Sequence, residues 1–244
     1  MRPEEARARL AALGFAEAET ETLFRHFDDA EQRGKLGHGH ARVEWLETQS
    51  PDPAARGVKV ASAPGFDRWE ARGALGYLLL ADICADLVSS RPAPVRVVAA
   101  DAFPTGHLGY WVRWLVDVGL VAVLTATSPA RLPHPGGGGP LVGTNPLAIG
   151  LPNPEGEPII ADVSMGAVTY GDVIRGAADP RELVPFGGEQ SYKAFALAVG
   201  LQGLVTSFVG ERHGIVLLAA EPEFDGFAAS LRGRAGGLRL PGDA

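Results

Sequence analysis

The chain has 244 residues, 46 % of them apolar and 21 % charged, and a formal net charge of −7. That suits one large domain or two small ones with a sizeable core, and it excludes extensive disorder. An acidic balance without a basic run argues against general nucleic-acid binding, and a lone cysteine, Cys84, excludes an internal disulfide and any multi-cysteine metal site.

Cys84 lies in the apolar helical pattern LLLADICADLV, where it reads as packing, and a reducing, cytoplasmic compartment is expected. The segment MRPEEARARL carries no apolar signal core. The apolar runs 77–81 and 120–126 are too short to cross a bilayer, so no membrane partner is expected.

In chain order, 3–13 reads as a helix with Pro3 near its start, 16–33 as an amphipathic helix, and 40–48 as a short third one. Two short strands are expected around VKVASA and DRWEA. Residues 74–90 form a buried helix, 94–101 a strand, 107–118 a helix and 119–127 a second buried strand. This β–α–β rhythm predicts an α/β fold with a sheet covered on both faces. A long turn region, 129–146, leads to strands at 147–151 and 158–164. Residues 165–189 lack a clear period, 191–209 is a long apolar helix, 214–220 a last strand, and 232–244 a loose Gly-rich tail.

Familiar nucleotide motifs fail. Gly138 and Gly143 have phosphate-loop spacing, but Thr144 and Asn145 follow where a lysine is needed. The segment after strand 94–101 does not fit a dinucleotide fingerprint. No histidine–carboxylate spacing marks a metal site, and His26, His134 and His213 read as ordinary surface or core histidines.

Two short constellations carry chemistry. His38 and Arg42 are four residues apart at a glycine-rich helix entry. A guanidinium grips a carboxylate with two prongs and an imidazole moves a proton, although a helix cap beside a surface arginine has the same spacing. His107 follows a buried strand at a helix start, where α/β proteins place ligands; a turn histidine reads equally well there.

These constellations, with GGGGPLVGTNPLAIGLP and its sequel, resemble the malate/L-lactate dehydrogenase family of the sulfolactate dehydrogenase-like type. The family's Ser-His-Gly-Val-x-Arg reads here as Gly37 to Arg42, its His-Phe-Gly as His107 to Gly109, and its Thr-Asn-Ser as Ala126 to Ser128. Gly-Thr-Asn-Pro is intact at Gly143 to Pro146. Asp162 to Ser164 stand for Asp-Met-Ala-Ser, Tyr192 to Ala194 for Tyr-Lys-Gly, and Arg239 to Gly242 for Arg-x-Pro-Gly.

The resemblance implies a non-Rossmann nucleotide-binding α/β fold with an N-terminal helical segment (1–50) packed on a cofactor-binding core (51–244) as one unit. It implies NADPH or NADH, a small 2-oxo acid or cyclic imine carboxylate as substrate, and a homodimer. Arg42 would bind the substrate carboxylate, His107 would be the proton donor or acceptor, and His38 would share that work. Ser128, Thr144, Asn145, Asp162, Val163, Ser164 and Lys193 would touch the nucleotide.

The departures are Gly37 in place of the family serine, His40 as a second imidazole beside the site, and a chain shorter than typical members. A lost hydroxyl leans toward an imine, which arrives already protonated. It also leaves open a non-redox isomerase, cyclase or lyase on the same fold.

Overall fold

The computed structural model describes residues 1–91 and 94–243. Helices α1 (Pro3–Ala12), α2 (Glu17–Gln32) and α3 (Ala41–Thr48) lead into strands β1 (Val58–Ala63) and β2 (Phe66–Glu70). Helix α4 (Gly76–Ser90), β3 (Val95–Asp101), α5 (Leu108–Val116) and β4 (Val121–Ala126) follow. Strands β5 (Leu132–Pro133), β6 (Pro140–Val142), β7 (Leu147–Leu151) and β8 (Ile159–Val163) precede helices α6 (Tyr170–Ile174) and α7 (Ser191–Val209). Strand β9 (Ile215–Ala220) and helix α8 (Phe227–Ala235) end the chain. The Pro180–Glu182 and Gly188–Gln190 turns and α6 fill the aperiodic stretch 165–189.

Seven strands form one sheet in the order β1-β2-β3-β9-β4-β7-β8. Only β2–β3 is parallel. The β3–α5–β4 unit does not pair its two strands with each other. Instead β9 enters between them, with Leu218 opposite both Val97 and Val123.

Alternation along β9 assigns the two faces, because successive side chains point to opposite sides. Ile215, Leu217 and Ala219 join the main core with α4 and α5, whereas Val216 packs with Val205 and Val209 of α7. The main core also contains Leu10, Leu23, Phe27 and Leu46, so the N-terminal helices and the sheet share one apolar interior. Each such fully buried leucine contributes about 1.5–3 kcal/mol.

Two expectations change. The C-terminal tail is tied down: Arg232 donates to Pro158 O at 2.9 Å and pairs with Asp243 at 2.6 Å, and Ile160 N donates to Pro241 O. Ala244 lies outside the described residues. The 22-residue stretch Gly188–Val209 is long and apolar enough to cross a membrane by length and composition. Here its Ala194, Ala198, Val205 and Val209 are buried, Val205 and Val209 against Ala99 of the sheet, while Leu197, Leu204 and Phe208 remain exposed.

His26 of α2 is fully buried, and neither ring nitrogen has a partner among the described residues. It stacks on Trp111 at 5.0 Å and touches Tyr77, Tyr110 and His107. Burial, reinforced by His107, His38 and Lys35, pushes its pKa well below 6.5. The unfolded chain therefore binds this proton and the native chain does not. Native stability is full above the unfolded value and falls as pH drops through about 6.5. A histidine held neutral costs about 2 kcal/mol of stability at pH 5. We expect His26→Leu to be neutral or stabilising at pH 7 and to flatten the decline in melting temperature between pH 6.5 and 5, read by circular dichroism.

Candidate active site

A cavity of about 350 Å³ opens where the loops after β3 and β4 meet the Leu36–His38 turn, the start of α3 and the start of α6. Loops leaving the carboxyl ends of strands are where sheets of this kind bind ligands. Two glycines permit the close approach of α6. A Cβ on Gly171 would collide with Gly37 O, and one on Gly37 would lie 2.8 Å from Thr169 Oγ1. The space of a serine side chain at 37 is thus occupied by the Thr169 hydroxyl, which lines the same cavity.

His38, Arg42 and His107 all line this cavity. His38 Nδ1 is buried and unpartnered, whereas Nε2 is not, so Nε2 is the nitrogen open to a ligand. Burial, reinforced by the neighbouring His107, Arg42 and Lys35, pushes the His38 pKa down to about 3. Arg42 lays its guanidinium over Trp45 at 3.9 Å, beside the Tyr77 phenol, and meets no carboxylate among the described residues. A stacked, unpaired guanidinium is a ready carboxylate clamp.

His107 caps α5 but turns both nitrogens away from solvent. Nε2 lies 3.2 Å from Asp29 and Nδ1 lies 3.8 Å from Asp162, distances of ion-pair contact without hydrogen-bond alignment. Asp162 Oδ2 accepts the Gly109 N–H of α5 at 3.0 Å and the Lys35 ammonium. Burial would raise the Asp162 carboxyl, but His107 and Lys35 outweigh it and hold it far below the usual range. Asp29 behaves likewise under His107 and Arg33.

The expected nucleotide residues separate into two groups. Ser128, Thr144, Asp162 and Ser164 line the cavity, with Thr144 N donating to Ser128 Oγ at 3.2 Å. Asn145 is buried with positive φ and donates to Ala198 O at 2.8 Å, tying the loop to α7. Val163 is exposed, and Lys193 is exposed on α7, bonded to Gln190. His40 faces away from the cavity: it stacks on Phe24 and pairs with Asp28 at 3.1 Å.

Behind the wall made by Lys35, His107 and Asp162 lies a second cavity of about 200 Å³, also lined by Arg33, Arg113 and Arg239. Arg239 meets no carboxylate among the described residues. Arg33 is paired with Asp29 at 2.9 Å, and Arg113 is paired with Glu157 at 3.3 Å and donates to Gly242 O at 2.7 Å. Lys35 and Arg131 lie inside the glycine-rich entry before His38 and the 129–146 turn region, where spacing assigns them no role, and Asp29 and Thr169 lie in no motif.

The family model for malate/L-lactate dehydrogenase matches residues 4–189. The chain is similar to (2R)-3-sulfolactate dehydrogenase (NADP(+)) of Chromohalobacter salexigens, 29 % identical over 68 % of this chain and 52 % of the relative. It is similar to the Delta(1)-pyrroline-2-carboxylate/Delta(1)-piperideine-2-carboxylate reductase of Pseudomonas syringae pv. tomato, 42 % identical over 65 % of this chain and 48 % of the relative. The matched segments thus span about half of these relatives. A dehydrogenase structure from Sinorhizobium meliloti superposes with TM-score 0.84 at 23 % identity, covering 100 % of this chain and 89 % of that one. The sulfolactate dehydrogenase of Methanocaldococcus jannaschii gives 0.80 at 18 %, covering 100 % and 86 %. These two likenesses bear on the fold alone, and they match the non-Rossmann α/β fold with N-terminal helices. Its ordered motifs and the match over most of its length make this chain a member of the malate/L-lactate dehydrogenase family of NAD(P)-dependent dehydrogenases and reductases.

Proposed function

We propose that the protein reduces a small 2-oxo acid or cyclic imine carboxylate with NADPH or NADH and, in reverse, oxidises a 2-hydroxy acid. The observation that carries this reading is the unpaired Arg42 guanidinium beside the open Nε2 of His38 in one cavity. Family membership supplies the cofactor class, and the acidic chain with one buried cysteine supports a cytoplasmic setting.

Arg42 grips the substrate carboxylate and fixes the neighbouring C=O or C=N. His38 Nε2 gives the proton to its oxygen or nitrogen. In the free protein His38 is neutral because of burial and surrounding cations. A carboxylate docked on Arg42 removes part of that cationic field and raises the proton affinity of His38. His107, the donor expected from the sequence, takes a positioning role here, since its nitrogens face Asp29 and Asp162.

Ser128, Thr144, Asp162 and Ser164 would hold the nicotinamide cofactor along the first cavity. The bound cofactor supplies the hydride. The Thr169 hydroxyl beside Gly37 donates to Asp172 at 2.7 Å, so it does not replace the contact of the missing serine hydroxyl, and the lean toward an imine is kept. No observation favours the non-redox alternative. Along α7, Leu197, Leu204 and Phe208 expose an apolar stripe that a second copy of the chain would cover.

Fluorescence titration of the folded protein with NADPH and NADH is expected to give saturable micromolar binding of one; binding of neither would refute the redox reading. On a turned-over acid, His38→Gln is expected to lower kcat by about 10²–10⁴-fold. A Leu204→Glu, Phe208→Glu variant should sediment as a monomer while the parent sediments as a dimer.

A further inference from the structure

Lys35, His107 and Asp162 line both cavities, so the wall between the two spaces is built from ionisable side chains. Two of the three are poorly placed to exchange a proton with water. The Asp162 carboxyl is held ionised by His107 and Lys35. Both His107 ring nitrogens are buried, facing Asp29 at 3.2 Å and Asp162 at 3.8 Å. Lys35 differs. Its side chain is 35 % exposed, against 3 % for His107 and 10 % for Asp162. Among the described residues its ammonium bonds Asp162 alone, which leaves two of its three N–H groups unspent.

Lys35 also stands one turn from His38. The His38 N–H donates to Lys35 O at 2.8 Å and closes the Leu36–His38 turn, in which side chains three residues apart eclipse one another. His38 has Nε2 open to a ligand, while Nδ1 is buried without a partner, and an unpartnered buried nitrogen demands a role. The other charged and titratable groups around the pair do not supply a proton. Arg42 of α3 keeps its protons, and burial holds the Tyr77 phenol of α4 protonated. Asp29 of α2 and Asp162 of β8 are ionised, and His26 of α2 is neutral. Asp172 of α6 is taken by Arg175 at 3.0 Å and the Thr169 hydroxyl at 2.7 Å. Reduction of a C=O consumes one proton for every hydride, yet burial keeps His38 neutral before substrate binds. Substrate and nicotinamide displace water from the first cavity, whereas the second lies on the far side of the wall.

We propose that Lys35 is the proton carrier of the site, passing a proton to His38 on one side of the wall and recovering it from water in the second cavity on the other. This inference rests on the reductase reading and adds the route of its proton. One Lys35 N–H bond breaks as the His38 Nδ1–H bond forms. The Nε2–H bond of the same ring breaks as the substrate O–H bond forms, while the substrate carbon takes the hydride. The neutral Lys35 amine then takes a proton from water at its open face. On product release, water in the reopened first cavity returns the His38 ring to its Nε2–H tautomer. Each turnover draws one proton from solvent.

Two substitutions at position 35 separate proton delivery from charge. Lys35→Arg keeps a cation for Asp162 but releases no proton. It is expected to match the parent in calorimetric affinity for NADPH or NADH and for oxamate, a non-reducible 2-oxo acid analogue. Its kcat on pyruvate or oxaloacetate should fall by about 10²-fold or more. The loss on Delta(1)-piperideine-2-carboxylate should be smaller, because an iminium brings its own proton. Lys35→Ala should lose the same activity and regain it with added ethylamine, and not with tetramethylammonium, which carries charge without a proton. Parental kcat in Lys35→Arg, or equal rescue of Lys35→Ala by both cations, would overturn the proposal. A parent that reduces the imine and neither 2-oxo acid would overturn it too, while reduction of none of the three with either cofactor would overturn the reductase reading beneath it.

Discussion

The buried carboxylate of Asp162 is the point on which the site is assembled. It stands on β8, fixed in register opposite Ala148. It accepts the Gly109 N–H at the start of α5, where a negative charge meets the positive end of the helix. It holds Lys35 from the segment after α2 and lies beside His107. One charge thus joins the sheet, a covering helix and the N-terminal helical segment, and it forms part of the wall between the two cavities. A carboxylate so buried is stable only with such partners, and their cations hold it ionised.

From that anchor the electrostatics divide by location. The outside of the chain is acidic, while the cavity linings are cationic, with Arg42, Arg131 and Lys35 in one and Arg33, Arg113 and Arg239 in the other. Charges of one sign gathered in a concave wall focus the field toward small anions. His38 and His26 are kept neutral mainly by burial, with Lys35 adding to it for both and Arg42 for His38. The neutral imidazoles and the vacant guanidinium forks are two consequences of one arrangement.

Much of the architecture is legible in the sequence because periodicity is local. The helices over 3–12, 17–32 and 191–209 and the strands at 147–151 and 215–220 follow from apolar spacing, and the glycines and prolines place their ends. The motif residues His38, Arg42, His107, Ser128, Thr144, Asp162 and Ser164 also come together in one cavity. Asn145, Val163 and Lys193 do not, because a motif records neighbours in sequence and not the direction of each side chain. Asn145 turns inward to bond Ala198, while Val163 and Lys193 point to solvent.

The sequence by itself determined the order and type of most elements, the absence of disulfide chemistry and the family's functional motifs, since each depends on residue identity and short spacing. Tertiary structure alone decided that β9 enters between β3 and β4, that the Thr169 hydroxyl fills the space beside Gly37, and that His107 faces two aspartates while His38 keeps an open nitrogen. It also brought Arg131 and Arg42, 89 residues apart, to one cavity. These are long-range pairings, fixed by how the layers pack around a shared core, and no local pattern of residues encodes them.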